Sequence, residues 1–186
     1  MLRHIAKVLP VTLLWWGCAA INAAAQSTER PVSTNVRSAN SRLAGALFDG
    51  VRRSDTLRSL VATLDASDMI VYLHDGRCVR PAEACLMIVK TAGETRLVHI
   101  NFRIGTGPDV FLAYQDRLIA QIGHELQHAV EIANNSDVND AATLSVLYER
   151  IGERRGSPGD IRYETEAAIQ AGQRVLREIH ERRHPG

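Results

Sequence analysis

The first regular pattern in the chain is a row of apolar residues at three- and four-residue spacing between positions 42 and 64. Such spacing places the apolar side chains on one face of an α-helix. Because the polar run Arg53-Ser54-Asp55 interrupts the row, we predict that the helix breaks there and that Ser54 caps a second helix. The apolar positions in this region are Leu43, Leu47, Val51, Leu57, Leu60, Val61 and Leu64.

Three short segments that follow have the composition of β-strands. They cover residues 68–73, 86–91 and 95–104, and the last of them alternates apolar with polar side chains. A turn at Ala92-Gly93-Glu94 separates the second segment from the third. The tight spacing predicts a small antiparallel sheet of about three strands. As an edge strand, residues 95–104 could pair with an extended peptide.

Helical spacing returns after the strands and predicts three more helices. The first is long and ends near Asn134, and the second starts at Asp137-x-x-Asp140 and ends at Gly152. Ser157, followed by a proline, predicts the capped start of a last helix that runs to about Arg183. Helices packed with a small sheet place the chain in the α+β class.

The beginning of the chain has the features of an export signal. Arg3 and Lys7 precede an apolar run that extends to Ile21, and small residues up to Ala25 suit cleavage by a signal peptidase. The apolar run is short for a membrane span, so we expect no stable span in the mature chain. A retained anchor or a lipid-modified Cys18 is the alternative.

The sequence therefore predicts a signal peptide at 1–25, a flexible polar lead-in at 26–41 and one compact domain at 42–186. Cleavage would leave 20 basic residues, of the 22 in the chain, against 21 acidic ones. This balance, without a block of like charge, argues against a nucleic-acid partner. We expect an exported protein, periplasmic or secreted, and the sequence indicates no oligomeric state.

Two of the three cysteines, Cys78 and Cys85, lie beyond the predicted signal peptide. An exported pair so close in sequence predicts a disulfide that closes a small loop. Metal binding by the two thiolates is the alternative, but the pair lacks the partner cysteines of a zinc ribbon.

The residues that most suggest chemistry form an H-E-x-x-H motif at positions 124–128, inside the long helix. His124 and His128, four residues apart, lie on one helix face, so both imidazoles can bind one metal ion. Zinc accepts such neutral nitrogens, and an ionised Glu125 can take a proton from water held there. A solvated helix face with two histidines is the alternative. Gly123 predicts the close approach of a neighbouring element.

A catalytic zinc site needs a third protein ligand. Glu131 lies on the same helix face but about 10.5 Å along the axis from His124, too far for a shared ion. We expect it to be a surface charge or an outer hydrogen-bonding group. Glu164 and Glu166 are the remaining candidates, and they would lie about 200° apart on a helix, so only one could face the metal. Both could instead be solvated helix charges.

This combination resembles the gluzincin peptidases, in which a glutamate ligand lies on a helix downstream of H-E-x-x-H. Glu164-Thr165-Glu166-Ala167 is similar to the signature that this glutamate opens, which favours Glu164 as the ligand. The family usually has an aspartate at the position of Ala168, where it supports a histidine ligand.

The resemblance implies a zincin-like domain that hydrolyses peptide or protein substrates with Zn²⁺ held by His124, His128 and Glu164. In this interpretation Glu125 is the general base. Two other functions stay open. A non-catalytic, zinc-stabilised binding or scaffold domain is favoured by Ala168 and by the small size, but it has no need of Glu125. The other is a metal-free helical interaction domain.

Overall fold

The computed structural model of the protein describes residues 32–78, 82, 84–104, 111–155 and 162–183. The predicted signal peptide, the alternative at Cys18 and the helix cap predicted at Ser157 lie outside these residues. The described helices and strands agree with the α+β class. In chain order they are β1 (Val36–Ser38), α1 (Ser41–Arg53), α2 (Asp55–Asp65), β2 (Met69–Asp75), β3 (Ala84–Ala92), β4 (Thr95–Phe102), α3 (Phe111–Ala133), α4 (Ala141–Ile151), β5 (Glu153–Arg155), β6 (Arg162–Glu164) and α5 (Glu166–Arg183).

The main sheet is mixed. Its order is β1–β2–β4–β3, with β1, β2 and β4 parallel and β3 antiparallel to β4. The three predicted strands are present and β3 pairs antiparallel with β4 as predicted, but β4 is parallel to β2, and β1 adds a fourth strand. The chain leaves β2 and forms β3 at the far edge, and β4 then fills the place between them. Alternation along a strand decides which side chains face the core, but it does not decide which strand lies alongside.

The position of β4 also corrects the expectation of an edge strand at residues 95–104. β4 is central, and its side chains Val98, Ile100 and Phe102 are buried in the core that the helices cover. β3, which contacts α3, forms one edge of the sheet. The turn between β3 and β4 lies where the sequence predicts it.

The lead-in predicted to be flexible contains β1, so that prediction is wrong for Val36–Ser38. The polar residues before β1 bind the end of α2. Ser33 Oγ and the backbone nitrogen of Asn35 donate to Asp65 Oδ1 at 2.6 and 2.9 Å, and the Asn35 amide donates to the Leu64 carbonyl oxygen at 3.0 Å. Residues that resembled a polar linker therefore satisfy a helix C-terminus.

The predicted break between the first two helices is confirmed. α1 ends at Arg53, and Ser54 Oγ accepts from the Leu57 backbone nitrogen at 3.0 Å, which caps α2. Asp140, the second aspartate of the predicted start, caps α4 in the same way through Thr143, and Gly152 follows the last residue of α4, as predicted.

Helix α3 passes through the core and packs along α5. A Cβ atom at Gly123 would lie 2.7 Å from Val175 Cγ2, so the close approach predicted at this glycine is confirmed. The far end of α3 is held by Arg96 of β4, whose guanidinium donates to the carbonyl oxygens of Ile132 and Asn135, both at 2.9 Å. In the described part of the chain, no helix is both long and apolar enough to cross a membrane.

Cys78 and Cys85 are joined by a disulfide, which confirms the predicted pairing. The bond ties the segment after β2 to the first residues of β3. Such a bond fits an exported protein, since disulfides persist in oxidising compartments.

Candidate metal centre

Glu164 and Glu166 do not share a helix, contrary to the sequence-based expectation. Residues 162–164 form β6, which pairs antiparallel with β5, and Glu164 is the last residue of that strand. Thr165 Oγ1 accepts from the Ala168 backbone nitrogen at 3.1 Å and so caps α5, which begins at Glu166. Glu166 is exposed and accepts a hydrogen bond from Gln170. Of the two glutamates, only Glu164 therefore faces the motif helix.

Close packing around Gly152 positions Glu164. A Cβ atom at Gly152 would lie 2.8 Å from the Tyr148 carbonyl oxygen and 3.2 Å from Tyr163 Cβ. The absence of a side chain allows β6 to pass directly over the end of α4. Glu164 is thereby placed across from the two histidines of α3.

His124, His128 and Glu164 converge on one point. Their ligand atoms all lie within 4.8 Å of one another. Glu164 Oε2 is 3.0 Å from His124 Nε2 and 3.7 Å from His128 Nε2. Ligands bound to zinc at about 2.0–2.1 Å in a tetrahedron lie about 3.3 Å apart, and the two measured distances lie on either side of that value. The group can therefore hold a metal ion.

The state of Glu164 Oε2 supports this fit. The atom is buried and, among the described residues, it accepts no hydrogen bond, although the His124 imidazole lies at ion-pair distance from it. A buried carboxylate oxygen without a partner is unfavourable unless a cation or another group completes its environment. The sequence-predicted ligand set thus forms an incomplete polar site of the kind that a metal ion completes.

Glu131 supports His128 from behind. His128 Nδ1 donates to Glu131 Oε2 at 2.9 Å, and Thr165 Oγ1 donates to Glu131 Oε1 at 2.6 Å. A carboxylate on the outer imidazole nitrogen fixes the ring and leaves Nε2 to face the metal. Ala168, where the resemblance predicts a supporting aspartate, is fully buried, and Glu131 supplies a carboxylate to His128 instead.

The charges in the site follow from these contacts. Burial lowers the pKa of His128, but the hydrogen bond to Glu131 and the nearby Glu164 carboxylate outweigh burial and raise that pKa to about 9. The close approach of His124, and next of His128, holds the pKa of Glu164 well below its ordinary value. The same carboxylates that attract a proton to His128 also attract a cation between the three groups.

Glu125 lies beside the three ligands and is only 7% exposed. Burial raises the pKa of its carboxyl, against the opposing effect of His128 and His124. Together with His124 it lines a cleft of about 380 Å³ between α3 and α5, to which Ala84 of the edge strand β3 also contributes. A carboxylate whose pKa is raised, at the wall of a cleft, is suited to proton transfer.

Tyr148 and two histidines of the sheet make contacts that are separate from the three converging side-chain atoms. Tyr148 packs its ring edge against His128 and donates to the His128 carbonyl oxygen at 3.3 Å, so it belongs to the support of the site. The pKa of the Tyr148 hydroxyl is raised, mainly by burial and further by the nearby glutamates. His74 Nε2 and His99 Nδ1 lie 2.9 Å apart on the sheet and bond to each other.

The sequence interpretation missed the connection through Thr165, which joins the strand that carries Glu164 to Glu131. The available signal was weak, because a threonine just before a helix is a common N-cap and indicates no further partner for its hydroxyl. The alternative role of Glu131 as an outer hydrogen-bonding group agrees with the structure, and its role as a surface charge does not, since its side chain is 11% exposed.

Comparison of the chain with protein-family models, curated proteins and solved structures finds no match. The resemblance to gluzincins therefore stays a prediction that rests on the motif residues of the sequence.

We expect Glu131→Gln to weaken metal binding by about 10- to 100-fold, because the amide carries no charge and orients His128 less firmly. Competition titration with a chromogenic zinc chelator measures the change. Glu149→Gln, at an exposed glutamate of α4, is the matched control and should leave the affinity unchanged. Equal affinities for all three proteins would show that packing alone orients the imidazole.

Proposed function

We propose that the protein is an exported, zinc-dependent peptidase that hydrolyses peptide bonds. The observation that carries the proposal is the convergence of His124, His128 and Glu164, with the buried Glu125 carboxylate beside them at the wall of a cleft. A purely structural zinc site is closed by four protein ligands. Three ligands, a neighbouring base and an accessible cleft are instead the parts of a hydrolytic site.

The donor set favours zinc over other metals. Two imidazole nitrogens and one carboxylate oxygen are the ligands of many catalytic zinc sites, whereas calcium and magnesium prefer oxygen ligands alone. The orientation of His128 also supports metal binding. Glu131 holds this imidazole in the way that metal-binding histidines are usually held.

The protein's own residues would carry out the proton transfers. Zinc, when bound, supplies Lewis acidity that polarises the scissile carbonyl and acidifies water. Glu125 takes a proton from the water whose oxygen attacks the carbonyl carbon, and it later passes this proton to the leaving amine as the C–N bond breaks. Glu131 keeps His128 in place during these steps. β3 is the sheet edge beside the cleft, so it is the strand that could align an extended substrate.

Zinc content and peptide cleavage test the proposal together. We expect the wild-type protein to retain one zinc ion per chain after dialysis and to cleave members of a generic peptide library. Glu164→Ala should lose both the metal and cleavage, because two histidines alone leave the site one ligand short. Glu166→Ala is the matched control two residues away, and it should keep both.

The possible outcomes separate the competing functions. Retention of zinc without cleavage of any peptide would leave a zinc-stabilised binding domain. No zinc in the wild-type protein would remove the metal site and leave a helical interaction domain. Loss of zinc in Glu166→Ala but not in Glu164→Ala would overturn the assignment of the third ligand.

A further inference from the structure

The cleft between α3 and α5 extends away from the candidate metal site along α3. Its walls are largely apolar and include Ala120 of α3 and Ile169 and Leu176 of α5. Apolar walls favour the burial of an apolar segment of a ligand, since removing apolar surface from water is favourable.

Arg117 introduces a positive charge into this apolar cleft. It is an exposed residue of α3 that lines the cleft. The acidic residue next to it, Asp116, does not neutralise it, because Asp116 Oδ1 lies 2.9 Å from Arg183 and 3.4 Å from Arg53. Within the described part of the chain, no ion pair of Arg117 is found, so its guanidinium is available to an anion.

The spacing along α3 sets the length of a ligand that spans both features. Arg117 precedes His124 by seven residues, which is about 10 Å along a helix axis. An extended peptide rises about 3.3 Å per residue, so about three residues separate a bond at the metal site from a group at Arg117.

We infer that the cleft binds an apolar peptide segment that presents a carboxylate to Arg117, about three residues from the scissile bond. A guanidinium binds a carboxylate through two parallel hydrogen bonds. The carboxylate can belong to an acidic side chain or to a peptide C-terminus. The inference rests on the proposed peptidase function for the position of the scissile bond. It adds the substrate class: apolar peptides with a nearby negative charge.

Four fluorescein-labelled peptides test the inference. They share the sequence Ala-Ala-Leu-Ala and continue with Glu-amide, Gln-amide, Lys-amide or Gln with a free carboxylate. Their affinity is measured by fluorescence polarisation on zinc-loaded Glu125→Gln protein, and their cleavage is measured on the protein with Glu125. We expect at least one of the two carboxylate peptides to bind about tenfold more tightly than Gln-amide. The Glu-amide and free-carboxylate peptides distinguish a side-chain carboxylate from a terminal one.

Charge reversal provides the decisive comparison. Arg117→Glu should remove the preference for the carboxylate and make Lys-amide the best ligand. Arg177→Glu, at an exposed arginine of α5 that does not line the cleft, is the matched control and should keep the wild-type order. Equal affinity for all four peptides, or no measurable binding of any, overturns the inference.

The two proposals fail in different ways. Carboxylate-selective binding that depends on Arg117, without cleavage by the wild-type protein, would support the cleft assignment and overturn the peptidase function. Cleavage that is insensitive to the charge at position 117 would support the peptidase function and overturn the cleft assignment.

Discussion

Glu125→Gln is expected to lower kcat for peptide cleavage by about 10²- to 10⁴-fold, the usual contribution of a positioned general base. Glutamine has the same shape as glutamate but cannot accept the proton of the attacking water. Glu125 is not among the three converging ligands, so the zinc content should stay at the wild-type level. Steady-state kinetics on a fluorogenic peptide, with zinc measured on the same sample, gives both quantities.

Stability separates this loss from a folding defect. Burial raises the pKa of Glu125, which means that its ionised form is less favourable in the folded protein than in the unfolded chain. A neutral amide of equal size should therefore leave the melting temperature unchanged or higher. Glu181→Gln, at an exposed glutamate of α5, is the control for loss of a negative charge elsewhere. A wild-type kcat in Glu125→Gln would assign the proton transfer to another group and would contradict the role of Glu125 as general base.

The local features of the fold follow from the sequence because short-range interactions determine them. The break at Ser54 and the start of α4 at Asp140 depend on hydrogen bonds within three residues, which a sequence pattern displays directly. The direction of the strands depends instead on which strands meet. β4 pairs with β2 and β3 at once, and its alternation would be the same in an antiparallel arrangement.

The candidate site shows the same division between local and long-range information. His124 and His128 could be predicted because one turn of helix places them together. The sequence also favours Glu164, but it places this residue on a helix, and the structure places it in β6. The pairing of β6 with β5 is a tertiary contact, which a local pattern does not display. Glu131 lies too far along α3 to be a ligand. Only the packing of Thr165 against it shows that its carboxylate is buried behind His128.

Arg96 links the sheet to α3, the helix that carries the motif. Its replacement is expected to destabilise the fold strongly. Its guanidinium is 5% exposed, pairs with Asp68 at 2.7 Å and donates to carbonyl oxygens at the end of α3. We expect Arg96→Met to lower the free energy of unfolding by about 3–5 kcal/mol, since it leaves buried acceptors without their donor. Urea denaturation measures the change, and Arg154→Met, at an exposed residue of β5, should change it little.

The effect of Arg96→Met should also depend on pH. The hydrogen bond from Arg96 is the first cause that lowers the pKa of Asp68 below its ordinary value. A lowered pKa in the folded state stabilises the protein above the ordinary pKa, and this contribution is lost as the pH falls through the lowered value. The stability difference between wild type and Arg96→Met should therefore be largest near pH 7 and shrink below about pH 4.

Other acidic groups titrate in both proteins and cancel in the difference. The carbonyl contacts do not titrate, so part of the difference should remain in acid. A difference that stays constant from pH 7 to pH 3 would assign the whole effect to those carbonyl contacts and none to Asp68.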